Sequence, residues 1–399
     1  MRKPGLRTIG CAVMPLSLLF LLLGSLRAEE KLVTADTKFG FKLLAELNRA
    51  DSTGNIFISP ASIALALAMT GNGAAGTTRE AMARTMELGE ISLDSLNRSY
   101  QRLLGDLKKP DSQVRLSIAN SLWARKDIQL SPEFLKLTGR FYGAKVTNLD
   151  FARSDAARKI NDWVSRNTQR KVNYLIDRTN PNDLLYLINA IYFKGSWSQK
   201  FDSRRTARRE FTLLNQTRES IPMMTQSGDY RYCRDDKFQA VSLPYGSGRI
   251  SMYVFLPNVE SDLAELLRGL IAENWDSWLP RFRRVKGDIV LPRFQLEYEA
   301  TLNDALKELG MAEAFDPARA DFSNLTRARI GAFISAVKHK AVVEVNEEGT
   351  EAAAATSVGV ALTALPESFT MVVDRPFFFA IRDNQTGLVL FTGVVRDPT

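Results

Sequence analysis

An α+β domain organised around a large sheet is what this chain predicts, and three patterns carry that expectation. Helical periodicity dominates up to about Ile176, interrupted by one strand pattern at Val114–Trp123. From Leu184 onward strand patterns prevail. No low-complexity linker or repeat divides the 399 residues, so one large domain is expected, spanning 29–399. Hydrophobic content of 45% beside 25% charge is ordinary for a globular protein with a large core.

The first 28 residues stand apart. Arg2, Lys3 and Arg7 make a basic start, Leu16–Leu23 is an almost purely apolar run, and Leu26-Arg27-Ala28 precedes Glu29 as a cleavage site. This is the layout of a secretory signal peptide, and it predicts a secreted protein, extracellular or, in a bacterial host, periplasmic. The competing reading is an uncleaved anchor, because residues 8–26 carry no charge. Pro15 and the short leucine core argue against it, and Cys11 precedes the apolar run where a lipoprotein cysteine would follow it. The segment holds four basic residues and no acid, so its removal halves the formal charge of +8 and weakens any case for nucleic acid. The clusters Arg204, Arg205, Arg208, Arg209 and Arg281, Arg283, Arg284, Lys286 read as solvated faces, with weak polyanion binding left open.

Within the body, Phe39, Leu43, Leu44 and Leu47 share one helical face, and Ser59-Pro60 before an Ala/Leu-rich run marks a second helix start. Strands are expected at Leu184–Phe193, Phe238–Leu243, Ile250–Leu256, Asp288–Leu296 and Ala341–Val345, with three more after Phe369.

The chemical inventory excludes most catalysts. His339 is the only histidine, and it adjoins a strand pattern without a G-x-S-x-G elbow. One histidine and one mature cysteine, Cys233, cannot build a zinc site. Cys233 reads as a small buried hydrophobe. Neither a Walker loop nor a dinucleotide fingerprint is present. No enzyme activity, metal or cofactor is therefore expected.

The segment Glu347–Pro366 breaks the pattern. Its alanines suit a helix or a linker, yet with period two it separates into two faces. Thr350, Ala352, Ala354, Thr356, Val358, Val360 and Leu362 form one, free of charge and small up to Leu362. Glu351, Ala353, Ala355, Ser357, Gly359 and Ala361 form the other. The first could lie against a core, as a central strand requires.

Five stretches around it resemble the serpin superfamily, from about residue 36 to Pro398. They are Asn55–Ile63, Leu187–Trp197, His339–Ala353, Val372–Phe379 and Phe391–Pro398. The resemblance implies helices packed around a large central mixed sheet, smaller sheets, and an exposed reactive loop at about 347–366. It implies a "shutter" of Ser59, Ser62, Asn189 and His339 beneath the main sheet. It also implies a "breach" of Trp197, Arg293 and Glu347, where an Arg–carboxylate pair would hold the root of the loop, the competing reading being a plain surface ion pair. The hinge would be Glu347, Gly349, Thr350, Glu351, Ala352, Ala353, Ala354, Ala355 and Thr356. Its small residues fit the inhibitory members of the family, the alternative being a non-inhibitory carrier or chaperone.

By the same resemblance the partners are serine proteases, trapped covalently by a monomeric suicide substrate, with no nucleic acid and no stable membrane association. Counting from the hinge puts the scissile bond between Thr363 and Ala364, while counting back from Pro376 lands on Leu365. Val360–Ala364 contains no Arg or Lys, so a shallow, elastase-like pocket is expected rather than one with a buried acid.

Overall fold

The computed structural model describes residues 16–107, 111–326, 331–349 and 368–399, with side chains from residue 27. The helices α1 (Leu16–Ala50), α2 (Pro60–Gly71), α3 (Gly76–Thr85), α4 (Leu93–Leu107), α5 (Pro132–Tyr142) and α6 (Ala156–Asn167) come first. Among them lie the strands β1 (Ile56–Ile58), β2 (Val114–Arg125) and β3 (Lys145–Leu149). Then follow β4 (Leu185–Gly195), β5 (Ala207–Thr212), β6 (Arg218–Arg234), β7 (Phe238–Tyr245) and β8 (Ile250–Pro257). The short helices α7 (Leu263–Arg268) and α8 (Ala272–Trp278) precede β9 (Arg283–Pro292), β10 (Phe294–Thr301), β11 (Ile334–Val345), β12 (Ser368–Val372), β13 (Phe377–Asp383) and β14 (Val389–Val395).

Two sheets form among the described residues. The larger runs β1-β14-β13-β8-β7-β6-β9-β12, with β5 added on β6. The other, order β10-β11-β4-β2-β3, positions the functional residues. In it β11 and β4 lie side by side and parallel, flanked by antiparallel neighbours β10 and β2. Parallel strands joined across a long connection tend to be buried on both faces, and β4 is buried at every position except Lys194. Its odd-numbered residues Ile191 and Phe193 pack toward the larger sheet with Val254 and Phe379. Its even-numbered residues Tyr186, Ile188 and Ala190 pack against Ile160 and Val164 of α6.

Local chemistry sets the helix that underlies this sheet. Ser59 caps α2, its hydroxyl accepting from the amide of Ser62, and Pro60 supplies a first-turn residue that needs no amide partner. The helix is apolar nearly all round and is buried from Pro60 through Thr70 apart from Ala61.

One expectation is corrected. The strand expected at Asp288–Leu296 is two strands in different sheets, broken at Arg293. Pro292 has no amide to extend the first ladder, and the Arg293 amide instead donates to Pro222 O at 3.0 Å. The helix expected around Phe39 is α1. The expected hinge residues Thr350–Thr356 and the scissile pair Thr363 and Ala364 lie outside the described residues.

Candidate functional site

The shutter residues meet beneath the parallel pair. Asn189 of β4 is the register partner of His339 on β11 and of Asn120 on β2, so three polar side chains form a row across three adjacent strands. His339 Nδ1 and Asn189 Oδ1 are 2.5 Å apart, and His339 Nε2 accepts from the Ser59 amide at 3.4 Å. That pair of bonds needs a neutral ring with its proton on Nδ1. The Asn189 amide donates to Ser62 Oγ and to Asn120 Oδ1, each at 2.5 Å. Ser59 Oγ donates to Leu390 O at 2.7 Å, which fastens the cap of α2 to β14. All four expected residues are therefore in one network. Asn120 is the member sequence reasoning missed, because only the register of β2 against β4 sets it opposite Asn189.

Burial pushes the His339 imidazole down to about 3. The ring stays neutral, and both nitrogens remain committed to the network.

The second group lies where β11 ends. Trp197 stacks on Tyr245, with centroids 4.3 Å apart and planes 13° from parallel, and its indole donates to Asn346 O at 2.9 Å. Asn346 to Gly349 turns back on itself, the Gly349 amide donating to Asn346 O at 3.1 Å. The Trp197 amide bonds to Glu348 O at 3.2 Å and the Phe201 amide to Glu347 O at 2.9 Å. The chain leaving β11 is thus pinned to the segment leaving β4.

Glycine is required at the end of this turn. Gly349 has φ +77°, and a Cβ there would stand 2.2 Å from the Trp197 nitrogen and 2.6 Å from Gly195 O.

The expected Arg293–Glu347 pair is corrected in weight. Its closest approach is 4.0 Å, with the arginine side chain 54% exposed and the glutamate 12%. An exposed pair at that distance contributes little. Glu347 is held instead by the Thr206 hydroxyl at 2.7 Å, and Glu348 by Lys200 at 2.5 Å. Sequence reasoning missed Thr206, Lys200 and Tyr245, which no local motif joins to the loop root.

The sequence matches the family described as Serpin (serine protease inhibitor) over residues 34–398. It is 37% identical over 384 residues to the human leukocyte elastase inhibitor, covering 92% of this chain and all of that one. The chain is a serpin. Human serpin B8 is 34% identical over 377 residues, again with 92% of this chain and all of the relative covered. The native-state crystal structure of the thermophilic serpin tengpin superposes with a TM-score of 0.84 at 32% identity, covering 92% of this serpin and 94% of tengpin. Native protease nexin-1 with heparin gives 0.84 at 27%, covering 94% and 100%.

Two outcomes test this geometry. The His339 pKa is lower folded than unfolded, so its contribution is fully present above about pH 6.5 and lost progressively as pH falls toward 3. Between pH 7 and pH 5, the native protein should lose about 2 kcal/mol more stability in urea unfolding than His339→Gln does. Gly349→Ala should cost at least about 2 kcal/mol, because strain and a backbone clash coincide there. Thermal unfolding and the emission of Trp197 read that loss, and an unchanged midpoint would refute the turn's role.

Proposed function

We propose that this serpin is a secreted inhibitor of serine proteases that works as a suicide substrate, with elastase-like enzymes as targets. The observation that carries the reading is the parallel β4–β11 pair, with the Asn346–Gly349 turn pinned at the top of its seam. A strand that follows β11 through a tight turn runs antiparallel to it, and so also antiparallel to β4. Its entry would exchange one parallel ladder for two antiparallel ones, which are slightly more stable per residue. Insertion of the cut loop as an added strand is an established property of the family.

On this reading the protease serine attacks the carbonyl of Thr363, forms an ester with it, and releases Ala364 as a new amino terminus. Insertion from Thr350 onward then carries the acyl-enzyme away before water reaches the ester. Ser59, Ser62, Asn120, Asn189 and His339 exchange hydrogen bonds as the seam parts, and Trp197 and Thr206 fix where parting begins. The uncharged window Val360–Ala364 supports an elastase-like target, as does the relative named leukocyte elastase inhibitor. Export is supported by the layout of residues 1–28.

Incubation with elastase should give a complex stable in SDS and release a peptide beginning at Ala364 by mass spectrometry. Thr350→Arg places an unpartnered charge on the face to be buried, so cleavage should continue while the complex disappears. Undiminished complex formation by that variant would sink the insertion reading.

Limited proteolysis within the loop should also raise the thermal midpoint sharply. A midpoint that stays put or falls after cleavage would favour a carrier or chaperone.

A further inference from the structure

Beneath the shutter, one carboxyl lacks a full set of partners. Asp36 of α1 is 2% exposed. Tyr100 of α4 donates to its Oδ1 at 2.8 Å, while Oδ2 is buried without a partner. Among the described side chains only Arg382 Nε and Thr392 Oγ1 share that condition, which buried polar atoms rarely show.

Asp36 lines a cavity of about 20 Å³ together with Ser59, Ser62, Ile118 of β2, Ile191 of β4 and Leu390 of β14. That is room for one water. The titratable groups facing Asp36 are few. Tyr100 comes from α4, and Tyr142 of α5 lies behind it with ring centroids 6.0 Å apart. From α2 come only serine hydroxyls, and β2, β4 and β14 present apolar side chains. His339 stands beyond Ser59 and is neutral. No Lys, Arg or His lines the cavity. Burial therefore pushes the carboxyl up to about 8, against the opposing Tyr100 hydrogen bond.

We propose that Asp36 is a positioning residue for the shutter: its protonated form keeps the sheet closed over the cavity, and its ionisation favours the parting of β4 from β11. The inference rests on the loop-insertion reading above. A carboxylate with one donor and no cation is poorly solvated in that cavity. Parting releases the Ser62 hydroxyl, which lines the cavity, from Asn189 and admits water, both of which stabilise the ion. The proton is thus held more tightly in the closed state than in the parted one. The rate of spontaneous conversion should then rise with pH, by up to tenfold per unit, and level off near pH 8.

The test follows the uncut protein, without protease, at fixed temperature from pH 5 to 9.5, reading loss of complex-forming capacity over time. Asp36→Asn, which keeps the shape and removes the titration, should flatten the profile and slow conversion at pH 8. Tyr100→Phe removes the one donor to the ion and should move the plateau to higher pH. Infrared difference spectra of the native protein should show a protonated carboxyl at pH 7 that titrates near 8. A profile unchanged by Asp36→Asn, or no such carboxyl band, overturns the proposal. Failure of the insertion reading looks different, since no complex would then form at any pH.

Discussion

The seam between β4 and β11 is the constraint on which the rest of the structure depends. Two neighbouring strands that run parallel, buried on both faces, must be stable enough to fold and, on the insertion proposed above, still leave room for a third. The larger sheet, α2 and α6 fix the two faces of that seam, so its strands can separate only sideways, in the plane of the sheet. A continuous apolar row at this point would gain nothing from parting. The Asn120–Asn189–His339 row can exchange partners, because each member has more than one donor or acceptor within reach. The opposite edge of β11 is built differently. Lys340 there is buried and bonds Glu297 at 2.7 Å and Glu299 at 3.1 Å on β10. Both glutamates are more than a third exposed, so these pairs add only a modest tie between β11 and β10.

How much of this was legible in the sequence depends on whether the relevant contacts are local. The α2 start was readable because its cap and its proline are adjacent to it, at Ser59 and Pro60. Apart from Asp288–Leu296, the strand assignments after Leu184 held, with boundary shifts, because apolar runs persist through both ladders. The break at Arg293 was not readable. Pro292 and Arg293 sit inside an apolar alternation, and the change of sheet is set by which strand the Arg293 amide meets. The same holds for β6, whose 17 residues serve three neighbours in succession. Its polar and charged positions hide the apolar alternation that marks shorter strands.

The site divides along the same line. Ser59, Ser62, Asn189 and His339 were placed together by a motif resemblance, and their chemistry alone would have called for buried partners. Asn120 belongs with them through strand register, which no single-chain pattern specifies. At the root of the loop, the sequence suggested the charge pair Arg293–Glu347. Exposure and distance leave the work to a hydroxyl, Thr206, and to backbone bonds from Trp197 and Phe201. Charge is conspicuous in a sequence, whereas a main-chain bond to Glu347 O leaves no mark in it.

Shutter and loop root depend on each other through β4. Asn189 sits six residues before Gly195, where the strand ends and the pinned turn begins. Asn346 to Gly349 fixes the chain at the upper end of the seam, so any strand that enters must start beside Gly195 and pass Asn189 on its way down. The polar row lies mid-strand on that path, where apolar packing on both faces would otherwise close it most firmly. Asp36 lies beneath this crossing, on the helix side, with no charge of opposite sign lining its cavity. A group placed there acts on the closed and parted states unequally because only parting brings it new donors. On the insertion proposed above, the turn would fix where separation starts, the row would govern how it passes the centre, and the carboxyl beneath would respond to whether it has passed.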